Sequence, residues 1–176
     1  MSGSNSRLRL RRPASDDADI LFAIYGDPRT NQTNPAGPFP DLEKAEAVLA
    51  SWMAHWDEHG FGVWAIARAE APDQVIGFGG LSLRLYGDVE KLNLGYRFAV
   101  EAWGQGYATE FGRAALDHAF SALGRDEVFG LVRPANTASI HVLEKLGMTR
   151  VDELDDVPGE AKSFVYAIRN PAAAPA

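Results

Sequence analysis

Residues 103–110, Trp-Gly-Gln-Gly-Tyr-Ala-Thr-Glu, join the most strand-like stretch of the chain to an amphipathic helical one. Gly104 and Gly106 lack a Cβ, so the backbone there can approach a ligand closely. A helix that starts at this point presents unpaired N–H groups and the positive end of its dipole, which together hold an anion such as a pyrophosphate. A tight strand–helix turn that needs glycine only for its dihedrals has the same residues, so the turn alone leaves both readings open. Other phosphate loops fit less well. The Gly-Lys-Ser/Thr tripeptide of a P-loop is absent. The dinucleotide fingerprint lacks its third glycine, because Tyr107, Ala108 and Thr109 follow Gly106, and it would lie late in the chain. With no cysteine, thiolate metal sites, disulfides and a cysteine nucleophile are excluded. His55 and His59 lie one helical turn apart without a further ligand motif, so they read as surface histidines beside Trp56, and no metal is expected.

The elements that position this turn follow from periodicity. Apolar and basic residues alternate in Leu8-Arg9-Leu10-Arg11, as in a strand with one wet face. Ser15 fits the N-cap of a helix reaching about Tyr25, with its hydroxyl accepting a free N–H. Residues 27–40 are rich in proline and read as a long loop, a length often tied to function. After Asp41, Leu42, Ala45, Leu49, Trp52 and Trp56 form one helical stripe that Gly60 stops. Strands are expected at 62–69 and 75–85. In the next, Leu92, Leu94, Tyr96, Phe98 and Val100 are apolar at every second position. A helix over 109–123 buries Phe111, Ala115, Leu116, Ala119 and Leu123. A strand at 127–132, a helix at 136–146 ended by Gly147, and strands at 150–154 and 163–168 complete the order. Strand runs alternating with helices imply an α/β (α+β) fold, a mixed sheet with helices on its faces.

The length of 176 residues suits one domain, placed at 7–170 with flexible termini at 1–6 and 171–176. A hydrophobic share of 46% argues for a full core and against a mainly disordered chain. No apolar run reaches the roughly 20 residues of a membrane span, and the start lacks a signal peptide's apolar stretch. A cysteine-free chain of this kind is expected in the cytoplasm. The net charge of −7 leaves no basic footprint for nucleic acid. Trp52, Trp56 and Trp64 either fill the core or wall a pocket. The acidic run at 152–156 is a solvated strand end or an attractor of cationic substrate.

The segment around Gly104 and Gly106 resembles the acetyl-CoA loop of the GNAT acetyltransferase superfamily, which reads Arg/Gln-x-x-Gly-x-Gly/Ala. Trp103 departs from the first position, but Trp-Gly-x-Gly-Tyr-Ala-Thr-Glu is a form familiar in the RimJ/RimL-type branch. Further landmarks are similar and in order: the strand at 7–11, Val75-Ile76-Gly77-Phe78-Gly79-Gly80-Leu81, Leu94-Gly95-Tyr96, and Asn136-Thr137-Ala138-Ser139 with Glu144-Lys145-Leu146-Gly147-Met148. The resemblance spans residues 7–168. It implies a GNAT-type, mostly antiparallel central sheet flanked by helices. The implied activity is acetyl transfer from acetyl-CoA to a primary amine, a protein N-terminus or a small molecule, by direct attack in a ternary complex. A CoA-binding sensor without turnover is the alternative. Homodimers are common among such relatives.

Residue roles follow from the same resemblance. Backbone groups at Phe98, Ala99 and Val100 would bond the pantetheine arm, and Gly104, Gln105, Gly106, Tyr107, Ala108 and Thr109 would hold the pyrophosphate without a basic patch. Asn136 would bond the pantetheine, and Ser139 would sit near the thioester; both residues are also ordinary helix-start types. Leu143 stands where many members carry a proton-donating tyrosine, which leaves Ser139 as the nearest hydroxyl, with Tyr107 and Tyr166 as competing donors that read more simply as packing. Asn93 stands where branch relatives often place a glutamate base. Glu101, Glu110, Asp88 and Glu90 are the nearby carboxylates, and Glu101 is the candidate to watch.

Overall fold

The computed structural model describes residues 6–173. Helix α2, Leu42–His59, starts where the Asp41 carboxylate accepts the Lys44 N–H at 2.9 Å and ends at Gly60, whose φ of 75° is left-handed. Helix α4, Thr137–Lys145, is capped by Asn136. It closes through Gly147 N–H to the Glu144 carbonyl and Met148 N–H to the Leu143 carbonyl, both 3.0 Å. Helix α1, Ala18–Tyr25, enters differently from the expected Ser15 cap. A short 3₁₀ turn comes first, and the Asp17 carboxylate accepts the Ala14 N–H at 2.8 Å and a two-pronged contact from Arg11. A carboxylate that reaches both partners replaces the single hydroxyl bond.

Seven strands form one sheet: β1 Leu8–Arg11, β2 Val63–Arg68, β3 Ala71–Tyr86, β4 Val89–Phe98, β5 Glu127–Val132, β6 Thr149–Leu154 and β7 Ser163–Arg169. Their order is β1-β2-β3-β4-β5-β7-β6, and every pairing is antiparallel except β4 with β5. The strand period divides the core in two. Trp64, Ile66, Phe98 and Val128 face α3, Tyr107–Asp117, and α4, where they meet Phe111, Leu116 and Leu143. Ala65 and Phe78 face α1 and α2, against Leu21, Ile24, Ala45 and Leu49.

Several boundaries differ from expectation. Strand β3 begins earlier and β4 stops at Phe98, because Val100–Ala102 turns as a 3₁₀ segment. Helix α3 starts at Tyr107, and its last turn widens into a π-turn, His118–Ala122, where Leu123 N–H reaches the His118 carbonyl at 3.0 Å. The loop at 27–40 contains a 3₁₀ turn, Pro28–Asn31. His55 is a structural pin: Nδ1 donates to the Phe61 carbonyl at 2.8 Å and Nε2 accepts the Leu83 N–H at 3.3 Å, so neither ring nitrogen is left for a metal. Of the tryptophans, Trp56 and Trp64 are core and Trp52 is half-buried. The expected flexible ends lie largely outside the described residues. Within them, Ser6 Oγ donates to the Leu8 carbonyl and Ala173 N–H to the Asn170 carbonyl. No helix among the described residues is long and apolar enough to cross a membrane.

Gly80 marks the closest approach in the sheet. A Cβ there would lie 2.2 Å from the Gly62 carbonyl oxygen and 2.5 Å from Val63 Cα, both backbone. At Gly112 the added atom would meet Leu146 Cδ1 at 2.5 Å, the tip of a movable side chain. Gly80→Ala is therefore expected to cost about 3 kcal/mol, at the upper end of overpacking. Gly112→Ala should be nearly neutral, because about 1 kcal/mol of helix propensity offsets the crowding. Urea unfolding midpoints compare the two, and equal losses would contradict this reading of the sheet.

Candidate active site

The one parallel neighbour pair, β4 and β5, shares a single bridge, Asn93 with Phe129, and then diverges. Peptide groups on a strand alternate in direction. Because Ala99 N–H donates to the Ile76 carbonyl on β3 at 2.8 Å, the backbones of Leu94, Tyr96 and Phe98 point the other way, toward β5. Past the bridge β5 no longer meets Tyr96 and Phe98. A cavity of about 400 Å³ opens there, lined among others by Gly95, Tyr96, Leu131, Asn136 and Ser139. Of the three residues expected to offer backbone groups, only Phe98 faces the gap, and its carbonyl accepts the Trp103 indole N–H at 3.1 Å. Ala99 faces β3, and Val100 belongs to the turn. Tyr96, read from sequence only as a strand landmark, is the second cleft-facing position.

The glycine turn follows. Gly104 and Gly106 have φ of 74° and 79°, which disfavours any side chain. The space around them is open: nothing lies within 4 Å of a Cβ at Gly104, and at Gly106 only the Arg7 guanidinium at 3.5 Å. The first bond into α3 runs from Glu110 N–H to the Gly106 carbonyl at 3.1 Å, so the N–H groups of Tyr107, Ala108 and Thr109 have no helical acceptor. The Gln105 carbonyl accepts from Arg7 at 2.9 Å. A second cavity, about 430 Å³, sits over this helix start and is lined by Arg7, Gly106, Thr109, Glu110, Arg113 and Lys145. Three cations against one carboxylate form a local basic rim. The sequence concealed it because Arg7 precedes β1, Arg113 lies in α3 and Lys145 ends α4. The residues present therefore fit a pyrophosphate-bearing ligand with both backbone and side-chain donors.

At α4, Asn136 Oδ1 accepts the Ser139 N–H at 3.2 Å, which caps the helix. Both residues line the first cavity together with the buried Leu143. The Tyr96 hydroxyl is buried without a hydrogen-bond partner among the described residues. Burial pushes its pKa up, and a nearby Ser139 pulls more weakly in the other direction, so it stays a neutral O–H donor at ordinary pH. The two tyrosines named as competing donors are committed elsewhere. The Tyr107 hydroxyl accepts from Arg68 at 3.1 Å, and Tyr166 reaches Glu144 at 3.4 Å.

The carboxylates are not gathered at the cleft. Glu101 has a side chain 75% exposed, 3.8 Å from Arg29, outside the cavity lining. Glu110 braces β1 through Arg7 at 2.8 Å. Asp88 and Glu90 are exposed around the β3–β4 turn. Asn93 accepts the Tyr86 hydroxyl at 2.6 Å. Among the described residues, the one carboxylate lining the first cavity is Asp156, from the acidic run that read as either a solvated strand end or an attractor of cationic substrate. It is held by Arg133 at 3.2 Å and by the Ser163 hydroxyl at 2.9 Å.

Comparison with known proteins agrees with this arrangement. Residues 7–149 match the Acetyltransferase (GNAT) domain family. The protein YkkB of Bacillus subtilis, described as uncharacterized, is 34% identical over 145 residues, covering 81% of each chain. The uncharacterized N-acetyltransferase p20 of Bacillus licheniformis is 28% identical over 85% of this chain and 83% of its own. A crystal structure of an acetyltransferase from Agrobacterium tumefaciens superposes with a TM-score of 0.76 at 28% identity, covering 93% of this chain and 91% of that one. The same fold at 18% identity occurs in two further structures. One is a ribosomal-protein-S5-alanine acetyltransferase from Vibrio fischeri, with a TM-score of 0.74 and coverage of 99% and 100%. The other is a spermidine N-acetyltransferase from Vibrio cholerae in complex with CoA and spermine, with a TM-score of 0.73 and coverage of 94% and 97%. The chain belongs to the GNAT acetyltransferase family, and acetyl-CoA is its co-substrate.

Proposed function

We propose that residues 7–170 act as one catalytic domain that moves the acetyl group of acetyl-CoA to a primary amine by direct attack within the β4–β5 cleft. The observation that carries this reading is the meeting of two features: an unzipped strand pair with a cavity between its edges, and an open, positively rimmed glycine turn beside it. Acetyl-CoA supplies an activated thioester and departs as a thiol. The Tyr107, Ala108 and Thr109 amides with Arg7, Arg113 and Lys145 hold its pyrophosphate, and the outward backbone of Tyr96 and Phe98 guides the arm into the cleft. Ser139 and Tyr96 donate hydrogen bonds to the sulfur as negative charge develops on it. Tyr96 thus supplies the hydroxyl that Leu143 lacks, which favours turnover over a sensor role. With Asp156 engaged by Arg133, no carboxylate in the cleft among the described residues is free to serve as a dedicated base. The positive wall of the cavity instead disfavours the ammonium form of the acceptor, which loses its proton to water. The fold is shared with a ribosomal-protein-S5-alanine acetyltransferase and a spermidine N-acetyltransferase, which supports protein N-termini and small amines as the acceptor classes.

Four outcomes test this. Gly106→Val should weaken CoA binding at least tenfold, about 1.4 kcal/mol, as read by calorimetric titration of a folded variant. Unchanged affinity would remove the turn from the site. Ser139→Ala and Tyr96→Phe should each lower kcat roughly 10- to 100-fold with little change in CoA affinity. Tyr96→Phe should cost the free protein little, because the buried hydroxyl it removes has only the weak Ser139 contact to lose; thermal unfolding checks this. Finally, kcat/KM should rise with pH toward the pKa of the amine used and move when that amine is exchanged. A profile fixed on one protein group would reveal a dedicated base.

A further inference from the structure

The first cavity carries more positive charge than its lining neutralises. Arg84, Arg97 and Arg133 contribute to it, Asp156 is the one acidic lining residue, and Asp156 is bound to Arg133. Arg84 is exposed, so Arg97 is the guanidinium set into the wall. Arg97 alternates with Gly95 and Asn93 on the β4 face that looks toward α1 and α2. Its Nη1 donates to Asn31 Oδ1 at 2.9 Å, and the group stacks over the Tyr25 ring at 4.4 Å. Both partners are neutral: burial pushes the Tyr25 hydroxyl up to about 12. The chain has 24 acidic residues, yet none forms an ion pair with Arg97 among the described residues. Burial also lowers the Arg97 pKa, the sign of a charge held without its counter-ion. A loop pin needs only a neutral donor. A partly desolvated, always-charged fork with no acid partner is costly, and a bound carboxylate would offset that cost through a charge-assisted contact.

We infer that the acceptor is a small amine that also carries a carboxylate, of the α-amino-acid class, and that Arg97 binds that carboxylate. This rests on the acetyltransferase reading and narrows its substrate. The volume of about 400 Å³ suits a small molecule. Arg97 and Tyr96 point to opposite faces of β4, so an anion held by Arg97 lies on the α1–α2 side of the cleft while Tyr96 and Ser139 lie on the α3–α4 side, and binding it orients the amine toward the thioester end. The same positive wall repels polyamines.

The experiment uses the full chain with acetyl-CoA, the α-amino acids, their primary amides and spermine, and follows CoA thiol release. For at least one amino acid, kcat/KM should exceed that of its amide and of spermine at least tenfold. In Arg97→Gln the acid-to-amide ratio should fall to within about threefold of unity, and in Arg97→Lys it should be partly kept. Asn31→Ala, which removes the loop pin but leaves the cation, should keep the preference. An amide or spermine preferred by the wild type overturns the inference, as does an equal loss of acid and amide turnover in Arg97→Gln with folding intact. If no amine supports thiol release, the acetyltransferase reading fails, and calorimetry with N-acetyl amino acids in the presence of CoA decides the Arg97 question separately. Binding by wild type but not by Arg97→Gln upholds the anion site, and absence of binding by the wild type overturns it.

Discussion

The architecture depends on one unmet pairing. β4 and β5 run parallel, touch once at Asn93 and Phe129, and part. Unpaired backbone groups inside a protein are costly, so a sheet that opens in its middle calls for something to bond the exposed edges. Everything around the opening serves it. The register with β3 points Tyr96 and Phe98 outward, and α3 starts where β4 ends, with its free N–H groups at the same mouth. The Asn136 cap starts α4 on the opposite lip. On each side of the gap the sheet is conventionally antiparallel and its core is full, which keeps the two edges from closing on each other.

Charge is segregated within this frame. A chain of net charge −7 concentrates Arg7, Arg113 and Lys145 at one end of the cleft and Arg97 and Arg133 at the other. Its carboxylates serve as braces or lie in solvent: Asp17 ties α1 to β1, Glu110 ties β1 to the start of α3, and Asp156 holds the chain between β6 and β7 against Arg133. Total charge therefore says little about what the interior attracts.

What the sequence disclosed was what repeats. The alternation from Leu92 to Phe98, the stripe of α2 and the glycine at 147 were legible because the physics behind them is local. The positive-φ turn at Gly104 and Gly106 was legible for the same reason. The charged walls were not, because they assemble over distance. Arg7 lies far from Lys145 in the sequence, and Arg97 gave no signal because the α1–α2 layer that covers it leaves no local trace. Tyr96 hid in an apolar alternation, where a hydroxyl and a phenyl ring read alike. The π-turn at His118–Ala122 was invisible since the helical stripe through Ala119 continues across it. The backbone expectation at Phe98, Ala99 and Val100 was displaced because strand parity, which decides which peptide groups face a gap, is set by pairing with β3.

Trp103, the residue that departs from the usual loop, gives this site an optical property. Its indole is half exposed, yet its N–H is fixed on the Phe98 carbonyl at the edge of the cleft. A carbonyl has a second lone pair, so a ligand amide arriving there can join the indole at the same oxygen or compete with it. In either case the chromophore's hydrogen bond and solvation change when the channel fills. Intrinsic emission thus reports filling of the cleft through Trp103 at the β4 edge and Trp52 in the cavity wall, with Trp56 and Trp64 buried in the core as a steady background.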